Sequence, residues 1–160
     1  MTLIVEDGSL VADANTYIDV DYFRAYCELR GVILPDDDDE VSVFIIKGMD
    51  YIETQLYKGT QIDIATQWPR EGVELYGFDI DSDVIPKQLK DAQCQASVES
   101  NNGVDLMPTT TGKNVIREKV GPIETEYSES NQAGRPVLAK VNKLLAPLLL
   151  HGGQFRVIRV

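Results

Sequence analysis

The sequence predicts a mainly α fold, a small helical bundle of three to four helices with a β-hairpin and extended N- and C-terminal arms. Three observations lead to this prediction. Apolar residues recur at helical spacing in several segments, two short β-branched runs flank a Gly-Pro pair, and both chain ends lack helical periodicity. With 160 residues and 43% hydrophobic content, the chain can form one domain with its own core.

The first predicted element is an N-terminal arm over residues 1–18. Gly8, Asp13 and Asn15 interrupt short apolar pieces there, which favours extended backbone with a turn. A helical domain is expected over residues 19–150. Its first helix starts at Asp19, a residue type that caps helices, and runs to about Arg30.

A second helix is predicted from about Asp37 to Leu56. Its start coincides with an acidic run, and carboxylates in a first helical turn are stabilised by the unpaired amides and the macrodipole. Electrostatic lining of a channel is a sharper hypothesis for the same run. Gly48 weakens this helix, and a close helix–helix approach is one possible reason for it. The acidic run consists of Asp36, Asp37, Asp38, Asp39 and Glu40.

The second half of the chain alternates between irregular and regular segments. Residues 60–84 are predicted to be irregular, and Pro86 suits the start of a third helix that runs to about Asn101. A hairpin is expected near residues 115–127, and a last helix begins near Arg135. Residues 151–160 form a C-terminal docking arm that begins with a Gly-Gly joint and ends in a short strand.

The charge of the chain is uneven. The net charge is −11, yet residues 135–160 carry five basic residues and no acidic one. An acidic body cannot gain the counterion release that drives nonspecific DNA binding. The basic end can instead dock on an acidic partner or on a neighbouring copy.

No pattern of residues predicts catalysis. The single histidine, His151, adjoins a flexible Gly-Gly joint, which is a poor place for a catalytic base. Asp79, Asp81 and Asp83 resemble the start of a calcium loop, but the required Gly and the final Glu are absent. We therefore expect no enzyme activity, no metal and no cofactor.

Cysteine content and hydropathy indicate the compartment. Cys27 and Cys94 fit neither a disulfide framework nor a zinc site, so two buried thiols in a reducing compartment are expected. The longest apolar run, Leu144 to Leu150, is far shorter than the roughly 20 residues that a membrane-spanning helix needs. No signal peptide is visible, so synthesis in the cytoplasm is expected.

The order of several short stretches resembles a known family. Gln67-Trp68-Pro69-Arg70 between two helices, an N-terminal Leu3 to Gly8 piece, a hairpin piece at Val115 to Ile123 and a final Leu144 to Leu149 piece are similar to the small head–tail adaptors of tailed bacteriophages. These proteins are also called head–tail connectors or head-completion proteins. They often carry a label that means DnaT-like single-stranded DNA-binding protein.

The resemblance implies a structural virion protein made in the host cytoplasm and located in the neck. Such adaptors form a ring, usually of twelve copies, beneath the portal protein. The ring extends the DNA channel and offers a platform to a downstream neck, stopper or tail protein. DNA would pass through without specific binding, and a C-terminal segment commonly reaches into the portal.

Two interface hypotheses follow. Trp68, Pro69 and Arg70 stabilise a loop at or near a subunit boundary, or else Trp68 fills the core under a loop. The C-terminal strand adds to the portal or to a neighbouring subunit, or else it packs within its own domain. Its residues are Phe155, Arg156, Val157, Ile158 and Arg159.

Two other function classes make specific demands on the sequence. A single-stranded DNA-binding replication accessory protein would need a basic face with exposed aromatic residues. Several aromatics are available, but their sequence neighbourhood is acidic. A small enzyme would need convergent titratable groups in a pocket, and the sequence offers none.

Overall fold

A computed structural model describes residues 2–108 and 137–150, together with the backbone of two strands at 117–120 and 123–126. Within these ranges the chain contains four helices and three two-stranded antiparallel sheets. The helices are α1 (Val20–Glu28), α2 (Asp38–Glu53), α3 (Lys87–Asn101) and α4 (Ala139–Leu145). The strands are β1 (Thr60–Gln61), β2 (Arg70–Glu71), β3 (Val73–Leu75), β4 (Phe78–Ile80), β5 (Arg117–Val120) and β6 (Ile123–Glu126).

The prediction of a mainly α bundle is therefore wrong, and the protein is a mixed α/β fold. The error lies mostly in residues 60–84, which were expected to be irregular. Strand β1 pairs with β2 and strand β3 pairs with β4, both antiparallel. Strands of two or three residues are too short to show the alternation that identifies a strand in a sequence.

The turn between β3 and β4 also lacks the usual sequence signal. Tyr76 and Gly77 have φ values of 55° and 88°, the pair of positive values that a type I′ turn requires. Asn-Gly or Asp-Gly normally occupies these positions, whereas a tyrosine at positive φ is uncommon. This hairpin was consequently not recognisable from its turn.

Local signals place the starts of α1, α2 and α3 correctly, whereas α4 begins at Ala139 rather than near Arg135. The Asp19 carboxylate caps α1 by accepting a hydrogen bond from the Tyr22 N–H at 2.7 Å. Asp37 caps α2 by accepting from the Asp39 N–H at 2.9 Å. Helix α3 follows directly after Pro86, as the sequence predicts.

Helices α2 and α3 approach closely at Gly48. A Cβ atom at this position would lie 2.3 Å from the Ser97 hydroxyl oxygen and 2.9 Å from the Gln93 carbonyl oxygen. Only a hydrogen atom fits there, so the close helix–helix approach expected from the sequence is confirmed. A residue of higher helix propensity would place its Cβ atom against these two oxygen atoms.

The N-terminal residues pack against these two helices. Buried Gln93 donates from Nε2 to the Thr16 hydroxyl at 2.8 Å and to the Ile45 carbonyl at 3.2 Å, while its Oε1 accepts from the Tyr17 N–H at 3.1 Å. The carboxylate of buried Glu6 holds the loop that follows it in the chain, because it accepts hydrogen bonds from three backbone N–H groups of that loop. The segment thus contains a turn and bends rather than a helix, and it packs against the domain.

Two groups of buried side chains form the core. One surrounds Trp68 and joins α2, α3, α4 and the β3–β4 hairpin, and the other joins α1 to α2 and α3. No helix in the described ranges is long and apolar enough to cross a membrane. The predicted C-terminal arm at 151–160 lies outside the described residues, as do the loops around strands β5 and β6.

Candidate functional site

The Trp-Pro-Arg segment ends the connection from β1 and includes the first residue of β2, and its three side chains are buried. Trp68 has no exposed surface and belongs to the larger core cluster. Its ring meets the Tyr57 ring edge-on, with ring centroids 5.8 Å apart and an interplanar angle of 79°. The Trp68 side chain therefore stabilises the loop from beneath. The location of this loop at or near a subunit boundary remains a prediction.

A hydrogen-bond network holds the backbone of this segment. The Tyr17 hydroxyl donates to Glu53 Oε1 at 2.5 Å and accepts from the Trp68 N–H at 3.0 Å. The Gln67 N–H donates to Glu53 Oε2 at 2.8 Å. Burial raises the pKa of Glu53, although the hydrogen bonds from Tyr17 and Gln67 oppose that shift.

We expect Glu53 to make stability depend on pH. Because its folded-state pKa is raised, its contribution is fully present below the ordinary value of 4.5 and is lost as pH rises through the folded pKa. The difference in unfolding free energy between Glu53→Gln and the wild type should therefore shift in favour of the variant as pH rises above 4.5. Denaturant unfolding of both proteins across this range measures the difference. An equal change in the exposed Glu74→Gln control would contradict the prediction.

Arg70 closes the same loop from the other side. Its guanidinium donates from Nε to the Lys58 carbonyl at 2.7 Å, from Nη1 to the Gln67 carbonyl at 3.0 Å and from Nη2 to the Gly59 carbonyl at 2.9 Å. A single planar fork thus satisfies carbonyl groups on both sides of β1. The role of Arg70 in this structure is to fix the path of the loop.

The exposed apolar side chains near this loop are of a different kind. Tyr76 and Phe78 at the tip of the β3–β4 hairpin are each 75% exposed, and Ile64 is 96% exposed. The aromatic residues of this region fall into two groups, because Tyr57 and Trp68 are buried whereas Tyr76 and Phe78 are exposed.

The acidic run at the start of α2 lies on the surface. All five side chains are exposed, and Asp37, Asp38, Asp39 and Glu40 cap the helix or occupy its first turn. Arg24 forms an ion pair with Asp38 at 2.7 Å. Helix capping accounts for this arrangement, and channel lining remains a prediction.

A basic cleft of about 460 Å³ lies between α1, α3 and α4. Its exposed residues include Arg30, Lys140 and Lys143, while buried Tyr26 and Gln95 form its floor. The Arg30 guanidinium lies 3.4 Å from the centre of the Tyr26 ring. The charge asymmetry of the sequence pointed to the two lysines, but no sequence signal linked Arg30 to them.

The described ranges show no candidate site for metal binding or thiol chemistry. No group of three or more His, Cys, Asp or Glu side chains there could hold a metal ion. Cys27 and Cys94 are buried and unpaired, as the sequence predicts. Burial raises the pKa of Cys27 to about 11, which keeps this thiol protonated and unreactive.

Comparison with known proteins identifies a family. The profile of a family described as "Putative DnaT-like ssDNA binding protein" matches residues 1–160, the whole chain. No curated protein and no solved structure matches. The description agrees with the label expected from the sequence and fits the single-stranded DNA alternative better than the head–tail adaptor. The chain belongs to this DnaT-like family.

Proposed function

We propose that this member of the DnaT-like family acts by protein–protein assembly, as a component that joins the portal to the tail or neck of a tailed phage. The exposed hairpin tip, with Tyr76 and Phe78 each 75% exposed, is the observation that supports this proposal most. Clustered exposed apolar side chains mark surfaces that contact other proteins. Val73 and Leu75 of the same hairpin belong to the core cluster that contains Trp68.

The charge of the chain supports the same proposal. With a net charge of −11, the protein repels phosphate groups, which suits the wall of a channel through which DNA must slide. Self-assembly into a ring of twelve copies, contact with the portal and contact with a downstream neck, stopper or tail protein complete the proposal. In it, the arm from Phe155 to Arg159 docks on the portal or on a neighbouring subunit, and the protein has no catalytic role.

Electron microscopy of the full chain mixed with purified portal rings tests this proposal. We expect an additional ring of density at the narrow end of the portal. Deletion of residues 152–160 should remove or weaken that density, because it removes the proposed docking arm. Portal rings without added density at saturating protein concentration would overturn the proposal.

Single-stranded DNA binding is the second candidate function. The family description supports it directly. Among the described residues, the cleft formed by Arg30, Lys140 and Lys143 is the candidate site for phosphate binding. Against it, the aromatic floor residue Tyr26 is buried, and the exposed aromatics among the described residues lie on the hairpin with Glu74 and Asp79 rather than in the cleft.

Binding of an oligothymidylate at several salt concentrations tests the second candidate. Three phosphate contacts predict a slope of about −2 for log K against log salt concentration. Lys140→Glu with Lys143→Glu should abolish the binding. A matched control, Lys47→Glu with Lys90→Glu, changes the net charge equally but leaves the cleft intact. No salt-sensitive binding by the wild type would exclude this candidate.

A further inference from the structure

We infer that the basic cleft is the docking site for the β3–β4 hairpin tip of a second copy of this chain. The inference rests on the proposed assembly function and names the contact that builds the assembly. It joins an acidic, aromatic protrusion to a basic, partly apolar recess. The protrusion consists of Glu74, Tyr76, Phe78 and Asp79, and the recess consists of the cleft residues Arg30, Ala139, Lys140, Lys143 and Leu144.

The hairpin is built to present its tip outward. Val73 and Leu75 are buried and hold one face of the hairpin in the core. Phe78 pairs with Leu75 on that face but is exposed at the tip, as is Tyr76 in the turn, while Glu74 and Asp79 lie on the opposite face. Tyr76 has a φ of 55°, a conformation that disfavours a bulky side chain. An aromatic residue at this position adds nothing to the core of its own chain. Contact with another molecule would explain its presence.

The hairpin carries two acidic residues on its paired strands. Glu74 and Asp79 occupy directly opposed positions on β3 and β4, and like charges in such positions destabilise a sheet. Within the described part of the chain, neither carboxylate forms an ion pair. A cationic surface from another molecule would remove this repulsion.

The cleft offers the complementary charge. Lys140 and Lys143 are exposed and form no ion pair with another described residue, and Arg30 lies on the same cleft. Ala139 and Leu144 add apolar surface that suits an aromatic side chain better than a phosphate. The cleft volume of about 460 Å³ lies within the usual range of binding pockets.

The geometry of this contact favours a ring. The hairpin contributes no residue to the cleft lining, so each copy would offer two different surfaces. Contacts between unlike surfaces are head-to-tail, and they close into rings when the rotation between copies permits it. The contact would therefore link each subunit to the next one around the ring.

A charge-swap experiment tests the inference. One variant combines Lys140→Glu with Lys143→Glu, and the other combines Glu74→Lys with Asp79→Lys. Either variant alone should lose self-association and ring formation on the portal, because cleft and hairpin then carry the same charge. An equimolar mixture should regain both, because each copy then meets an oppositely charged neighbour. Sedimentation velocity and electron microscopy with portal rings provide the readouts.

The outcomes separate this inference from the proposed function. Rings that form equally well with either variant alone would overturn the inference and leave the assembly function intact. Failure of the mixture to recover, while the Lys47→Glu and Lys90→Glu control assembles normally, would also overturn it. Absence of any assembly by the wild type, with oligothymidylate binding lost in the cleft variant, would overturn both and support the DNA candidate.

Discussion

Replacing Trp68 with alanine is expected to lower the free energy of unfolding by about 3–5 kcal/mol. The indole has no exposed surface and lies at the centre of the larger core cluster, against Tyr57. Its removal would leave a cavity that several separate elements surround. Denaturant unfolding monitored by circular dichroism measures the change.

Two further variants make this prediction specific. Phe78→Ala removes an exposed aromatic and should change stability by less than about 0.5 kcal/mol. Trp68→Phe keeps part of the ring, and the Trp68 Nε1 atom has no hydrogen-bond partner within the described residues. Trp68→Phe should therefore lose less unfolding free energy than Trp68→Ala. A loss below about 1 kcal/mol for Trp68→Ala would contradict the prediction.

Replacing Arg70 with alanine is expected to destabilise the fold by about 3 kcal/mol. The guanidinium satisfies carbonyl groups of Lys58, Gly59 and Gln67, and its removal leaves them without these donors in a largely buried position. Arg70→Lys should recover little, because one ammonium cannot reproduce a planar fork of donors. Thermal unfolding of both variants provides the measurement.

The exposed substitution Lys47→Ala is the control for Arg70. Lys47→Ala also removes one positive charge, but the Lys47 side chain forms no hydrogen bond within the described residues. Equal stability losses for Arg70→Ala and Lys47→Ala would show that net charge, rather than the buried fork, determines the effect. Full recovery in Arg70→Lys would lead to the same conclusion.

Features governed by local chemistry were predictable from the sequence. Asp19 and Asp37 cap helices because a carboxylate can reach the N–H groups within its own helical turn. The close approach at Gly48 was indicated in the sequence, because a glycine stands among the apolar residues of a predicted helix. The β1–β2 and β3–β4 strand pairs gave no comparable signal in the sequence, because their strands are very short and the turn between β3 and β4 has atypical residues.

The candidate sites depend on contacts between distant parts of the chain. Arg30 joins Lys140 and Lys143 in one cleft although about 110 residues separate them in the sequence. The setting of Trp68 likewise requires Tyr17 from the N-terminal segment and Glu53 from α2. Periodicity and composition describe neighbours along the chain, so neither arrangement could be read from them.

The position of Gln93 makes the beginning of the chain part of the cooperative folding unit. One side chain connects residues 16 and 17 to α2 and α3 through three hydrogen bonds. The segment cannot detach without leaving a buried amide group unsatisfied at the centre of the helix pair. Amide protons of that segment should accordingly exchange with solvent only when the helices themselves open. A proteolytic clip near Thr16 would thus report on opening of the whole domain rather than on a loose end.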